Sequence, residues 1–467
     1  MSSSATTSNN YRCGSSYQAQ LTVTKSTYTY TWISDSFVKG KSSQGIGASL
    51  LLRKEFPPML KIVYPNCCGI DVHKTFVVAV IAIANNQGIT EYHRKHFSTF
   101  TNGLTQLRDW LEYYSCFDVC MESTGKYWIP VFNILEEQTN VCLAHPKYVK
   151  AIRGKKTDKK DAQWIADLFK HDLVASSFIP PLKIRQLRDL FRYRMKLTQL
   201  QVGEKNRYQN CLTWSNLQIA SVVSDVFGKS AQAIIKSILD NPQDKPNIEQ
   251  LVHKRMKNKV QDLEIAMEGA LTPEQAEKIR VIKAHYDALA ICKEDLEQMI
   301  RELGQDYQHQ VKLIQTVPGF KEDLSALRII SEIGCDMTVF DSAAKLCSWA
   351  GLVPANNESA GKKFSTRISK GGKYLRPFLV QVANAVVKSD KHPELRNKYL
   401  KLKKRRGHRK AISAICRRLL VSVYQVLRKQ EDYNPVLQGL TEIRNPDKTM
   451  SVQDAVRFAQ QHGFNVA

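Results

Sequence analysis

Five residues carry the chemistry that can be read from this sequence: Asp71, Glu122, Asp158, Asp161 and Ser359. Asp71 lies in Gly69-Ile70-Asp71-Val72-His73-Lys74, between one apolar run and a second from Phe76 to Ala84, which places a carboxylate at the edge of a sheet. Glu122 closes the run Asp118 to Met121, and Ser123-Thr124-Gly125 then turn the chain toward a helix. If these two strands pair, the acids sit side by side. Asp158 and Asp161 are three apart in Lys155-Lys156-Thr157-Asp158-Lys159-Lys160-Asp161, so on a helix they share one face. Four carboxylates would hold a hard cation such as Mg²⁺, with Lys155, Lys156, Lys159 and Lys160 facing phosphate. A plainer reading stands beside this one. Asp in a strand-to-strand turn is usually a turn residue, and Thr followed by acids is how an ordinary helix begins. His73 has no comparable support as a ligand and reads as a bystander.

Ser359 belongs to Asn356-Asn357-Glu358-Ser359-Ala360-Gly361-Lys362-Lys363. From Lys362 to Arg376 there are six basic residues, Lys362, Lys363, Arg367, Lys370, Lys373 and Arg376, and no acid. A serine beside glycine in such a loop is placed to meet a phosphodiester, although most loop serines only cap or turn. Ser365 and Ser369 are its neighbouring alternatives. The run Lys401 to Lys410, with Arg405 and Arg406 at its centre, reads either as a solvated face or as phosphate contacts.

The whole composition points the same way. Over 467 residues, 68 Lys+Arg against 44 Asp+Glu give a formal charge of +24, so a polyanion is the first partner to consider. The longest apolar run, Val77 to Ala84, is too short to span a bilayer. The eleven cysteines form no repeated framework, which argues for reduced thiols over zinc or disulfides.

The elements that must position these residues follow from periodicity. Strand-like runs are Leu60 to Tyr64, Cys67 to Asp71, Phe76 to Ala84, Tyr92 to Phe97, Asp118 to Glu122 and Val141 to Ala144, with a hairpin turn at Asn85-Asn86-Gln87-Gly88. Helical patterns fill 103–114, 127–138 and 158–171, which predicts an α/β domain with a mixed sheet. Long polar helices follow, with Leu187, Leu190, Phe191, Leu197 and Leu200 on one stripe. Ile279, Ile282, Tyr286, Leu289, Leu296, Ile300 and Leu303 form a heptad seam that would close within one chain or join two. A mostly helical C-terminal domain completes the chain. The expected division is a Ser/Thr-rich, dispensable leader over 1–58, a metal-binding domain over 59–184, a helical coiled-coil spacer over 185–312, a serine-bearing domain over 313–431 and a tail over 432–467.

The segments GIDVHK, CMESTGKYW and HPKYVKAIRGKKTDKKDAQWIADL resemble, in order, the motifs of the DEDD insertion-sequence transposases, whose N-terminal domain is similar to RuvC-like Holliday-junction resolvases of the ribonuclease H fold. By that resemblance Asp71, Glu122, Asp158 and Asp161 are the D, E, D and D. The C-terminal domain of these transposases carries a Ser-x-Gly-Lys-like motif, then Ile-Ser/Thr-Lys-x-Gly and Tyr-Leu-Arg. Ile368-Ser369-Lys370-Gly371-Gly372-Lys373-Tyr374-Leu375-Arg376 sets the register on Ser359. The resemblance implies Mg²⁺-dependent strand cleavage and rejoining through a phosphoserine link. Its implied partners are double-stranded DNA at element ends and target, a structured guide RNA encoded beside the gene, and further copies of the chain. A cytoplasmic, nucleoid-associated protein is expected. Two rivals share part of this evidence: a junction resolvase that uses the acids and water, and a non-catalytic nucleic-acid-binding protein.

Overall fold

The computed structural model of the chain describes residues 10–13, 17–24, 27–34, 60–85, 87–123, 125–149, 158–241, 246–354, 357–359, 362–365, 367–369 and 371–435. It divides into two units, Met1–Val63 and Tyr64–Ala467. The first contains an antiparallel meander of β1 (Asn10–Cys13), β2 (Tyr17–Thr24) and β3 (Thr27–Ser34). Tyr28, Tyr30 and Trp32 fall in β3, opposite Val23, Leu21 and Ala19. The Ser/Thr-rich leader thus holds a small sheet of its own.

The second unit opens with a five-stranded mixed sheet, β4 (Asn66–Val72), β5 (Phe76–Ala84), β6 (Thr90–Ser98), β7 (Asp118–Glu122) and β8 (Asn140–Ala144), in the order β6-β5-β4-β7-β8. β4, β5 and β6 run antiparallel as a meander, whereas β7 and β8 are added parallel to β4. The turn into β6 forms as expected, with Asn85 Oδ1 accepting from the N–H groups of Gln87 (3.0 Å) and Ile89 (2.9 Å). Leu60 to Tyr64 is not a strand. Pairing in the sheet begins only at Asn66. Tyr64 instead stacks on Phe169 at 4.5 Å, and its N–H donates to the Lys170 carbonyl at 3.1 Å.

Side chains alternate across the sheet and meet a helix on each face. On one face Cys68, Ile70 and Val72 of β4 pack with Leu104, Leu107 and Leu111 of the helix Thr101–Tyr113. Each such buried leucine contributes about 1.5–3 kcal/mol. On the other face Cys67, Cys120 and Ala144 pack with Ile165, Ala166 and Phe169 of the helix Asp158–Lys170.

Two long helices, Leu182–Trp214 and Pro273–Leu303, lie against each other and supply the spacer. They are antiparallel, as the ion pairs Arg194–Glu297 and His285–Glu204 require. The heptad seam therefore closes within the chain, burying Ile279, Ile282, Leu289, Leu296 and Ile300. Leu200 departs from the expected stripe and is exposed. Between the two helices, the described part of 215–272 builds a separate core of Ile219, Val226, Ile234, Ile235, Ile238 and Leu263 around their distal ends.

The opposite ends of the same helices enter a C-terminal core formed by the helices Asp323–Ile333, Ala343–Trp349, Leu375–Lys388, Pro393–Arg406 and His408–Lys429. A short hairpin of β9 (Asn357–Ser359) and β10 (Lys362–Ser365) projects from that core. Among the described residues, no helix is long and apolar enough to cross a membrane.

Candidate active site

Strand register decides whether the separated acids can meet. The parallel ladder of β4 and β7 pairs Cys67 with Asp118, Cys68 with Val119, Gly69 with Cys120 and Ile70 with Met121. The next step in that ladder sets Asp71 beside Glu122, both at the carboxyl end of their strands. Alternation puts them on one face too. Asp71 follows Cys67 and Gly69 by even steps, Glu122 follows Cys120, and Cys67 and Cys120 both pack toward the helix Asp158–Lys170.

That helix crosses the sheet very closely because Gly69 allows it. A Cβ on Gly69 would lie 2.3 Å from the Ala162 carbonyl oxygen and 2.4 Å from the Ala166 nitrogen. The helix also runs opposite to β4. Lys170 meets Tyr64, the Ala166 carbonyl accepts from the Cys67 thiol at 3.7 Å, and Ala162 lies over Gly69. Two strand residues rise about 6.6 Å and four helical residues about 6 Å, so the elements advance in step. One further step along the helix from Ala162 brings backbone position 158 over the Asp71 end of β4.

Asp161 is half-buried on this helix, one residue before Ala162, and Lys160 is exposed beside it. The side chains of Asp158 and Lys159 lie outside the described residues, as do Lys155, Lys156 and Thr157 entirely. Among the described residues no three His, Cys, Asp or Glu side chains converge closely enough to enclose a metal ion. The fit therefore rests on the kind of donors available. Asp71, Glu122 and Asp161 offer only carboxylate oxygens, which suit a hard divalent cation better than a soft one.

His73 enters this site unexpectedly. Its Nε2 lies 3.1 Å from Asp71 Oδ2, and its ring stacks on Phe76 with centroids 4.5 Å apart. The i, i+2 spacing on a strand was the available signal, because it places both side chains on one face.

Ser359 stands elsewhere, at the end of β9, where it pairs with Lys362 across the hairpin; its side chain and those of Lys362 and Lys363 lie outside the described residues. An isolated bridge between Pro354 and Ile368 closes the base of this region. Ser369 is occupied structurally, its Oγ accepting from the Gly371 N–H at 3.3 Å. Arg376 donates to the Ser369 carbonyl at 3.0 Å, so part of its guanidinium holds the loop. Arg367, Lys373, Arg405 and Arg406 have exposed side chains, while Lys370 lies outside the described residues. Asp71 and Glu122 thus stand near the carboxyl ends of adjacent strands, Asp161 on the helix packed over them, and Ser359 on a different element.

Two family models match the chain. One, of the DEDD IS110 type and described as a transposase, covers residues 68–216 and includes all four acids. The other, described as the transposase IS116/IS110/IS902 family, covers 311–400 and includes Ser359. No curated protein matches significantly. A DEDD transposase domain entails dependence on a divalent metal and action on DNA. With a mixed ribonuclease H-like sheet, acids aligned at adjacent strand ends and both halves matched in order, the chain belongs to the IS110 family of transposases.

Proposed function

We propose that this transposase cuts and rejoins DNA with two sets of residues: the carboxylates Asp71, Glu122, Asp158 and Asp161, and the nucleophile Ser359. The observation that supports the proposal is the register of β4 against β7, which continued by one residue would set Asp71 beside Glu122, together with the close approach of the helix Asp158–Lys170 to Gly69. Mg²⁺ bound there would supply Lewis-acid polarisation of the scissile phosphate. The Ser359 hydroxyl loses its proton and attacks phosphorus, and the bond from phosphorus to the deoxyribose oxygen breaks. That oxygen leaves as a protonated hydroxyl, and a phosphoserine ester remains. Attack by a hydroxyl of the second DNA end reverses the step and frees the serine, so no outside energy is consumed.

Lys160, Arg367, Lys373, Arg405 and Arg406 would contact phosphates, together with Lys155, Lys156, Lys159, Lys362, Lys363, Lys370 and Arg376. Guidance by an element-encoded structured RNA is part of the proposal. It is supported by the family resemblance and by the surplus of +24. Assembly into a homo-oligomer belongs to the same reading, as do the domain limits 59–184, 185–312 and 313–431.

The test uses plasmid DNA carrying the sequences that flank the gene. Wild-type protein should leave a covalent protein–DNA adduct that survives detergent. Ser359→Ala should abolish the adduct, and Asp71→Asn should abolish cleavage, while both still bind the DNA. Continued cutting by Ser359→Ala would instead identify a hydrolytic nuclease, and a wild type that never cuts would leave only a binding protein. RNA co-purifying with the protein should map to the flanking DNA; RNA of unrelated origin would sink the guided part.

A further inference from the structure

Three arginines on the helix Leu182–Trp214 stand at positions i, i+3 and i+7 and share one face. Arg185 donates to Glu136 Oε2 (2.9 Å) and Asn133 Oδ1 (3.1 Å), in the sheet domain. Arg188 donates to the carbonyls of Ser331 (2.9 Å) and Glu332 (2.8 Å) at the end of the helix Asp323–Ile333. Arg192 forms a two-pronged pair with Glu332, Nε to Oε1 at 3.1 Å and Nη2 to Oε2 at 2.9 Å. Glu332 is only 8% exposed whereas the Arg192 side chain is 37% exposed, so the carboxylate is sheltered and the fork geometry fixes the plane of a guanidinium that still reaches solvent.

The held guanidinium lies over the Tyr374 ring, 4.2 Å from its centroid. Tyr374 follows directly on the segment Ile368–Lys373 at the hairpin's base and so links that segment to this helix. Gly372, two residues earlier, has φ +66°, and a Cβ there would lie 2.1 Å from the Ala350 carbonyl oxygen. Two residues later Arg376 holds the Ser369 carbonyl, and Ile368 bridges to Pro354. The hairpin that bears Ser359 lies in the chain between the two residues of this bridge.

We propose that Arg192 is a positioning residue for strand cleavage: oriented by Glu332, it fixes the Tyr374 ring and thereby the base of the hairpin that presents Ser359. The inference rests on the reading of Ser359 as nucleophile. Phosphate binding does not account for the geometry, because the planar guanidinium is spent on a sheltered carboxylate and an aromatic face. Lysine at this position could keep the charge but could not make both contacts.

The experiment measures the single-turnover rate of adduct formation on saturating flanking-DNA plasmid, with the DNA Kd and the melting temperature of each full-length variant. Tyr374→Leu leaves the Arg192–Glu332 pair intact and should slow adduct formation about tenfold with Kd and Tm unchanged. Tyr374→Phe keeps the ring and should restore the rate. Arg192→Lys should match Tyr374→Leu in rate, and the double variant should be no slower than either single. A wild-type rate in Tyr374→Leu, rescue by Arg192→Lys, or a loss that tracks Kd or Tm would overturn the inference. Ser359→Ala run in parallel separates the two readings: an adduct that persists in it refutes the nucleophile, whereas its loss beside a fully active Tyr374→Leu refutes only the positioning role.

Discussion

Replacing Gly69 by alanine should damage catalysis more than stability. The added Cβ would stand 2.3 Å from the Ala162 carbonyl oxygen and 2.4 Å from the Ala166 nitrogen, both backbone atoms that no side-chain rotation can clear. A separation of 3.0 Å, the least that real contacts show, requires a retreat of about 0.7 Å. β4 cannot supply it, because it is hydrogen-bonded on both sides by β5 and β7. The helix Asp158–Lys170 must move instead, carrying Asp158 and Asp161 away from the strands that bear Asp71 and Glu122. Overpacking of this size costs about 1–3 kcal/mol, which a large chain survives. Misplacement of reacting groups by about 1 Å costs up to about 100-fold in rate. Gly69→Ala should therefore cleave flanking-DNA plasmid about 10- to 100-fold more slowly, with a Tm lowered by only a few degrees. Full cleavage activity with an unshifted melting curve would refute the close-approach reasoning and the placement of the acids built on it.

Other outcomes test separate parts of the molecule. Glu332→Ala strips the forked partner from Arg192, which is 37% exposed, and removes the nearest carboxylate from the more buried Arg188, which should lower unfolding stability by about 1–3 kcal/mol in a urea titration; a midpoint equal to wild type would show the pair to be solvated. Cys142 lies beside Cys120 in the β7–β8 ladder, and donation from Cys120 holds its thiol below the ordinary cysteine range, against the opposing effect of burial and with help from Ser176. Burial pushes Cys67 up to about 12. A lowered pKa gives more thiolate at a given pH, so at pH 8 iodoacetamide should label Cys142 faster than Cys67, as read by peptide mass spectrometry. Equal labelling of the two would contradict that assignment.

Much of the catalytic half was legible because its signals are local. The runs that became β4, β5, β7 and β8 alternate or stay apolar over strand lengths, and Asn85 supplied its own turn chemistry. The pairing of Asp71 with Glu122 needed only the assumption that their strands are neighbours. Leu60 to Tyr64 misled because apolar content does not reveal whether a segment joins a ladder or is held by its side chains, as Tyr64 is on Phe169. The heptad seam of Pro273–Leu303 was visible, but its partner in the same chain was not, because a seam records what it buries and not against whom. Arg192 and Glu332 lie 140 residues apart. No periodicity links them, and both read as ordinary surface charges until the fold brings them together. The contact of His73 with Asp71 could not be read for a similar reason, since it depends on the direction in which both side chains face.

The two long helices join one core at each end, with Ile184 and Ile300 in the proximal one and Leu212 and Ile279 in the distal one. The proximal core reaches Leu197 and Leu289 and the distal one begins at Tyr208 and Ile282, so only about 10–16 Å of helix separates them. Two cores are thus threaded on one pair of helices, and packing lost in either loosens a backbone that the other also depends on.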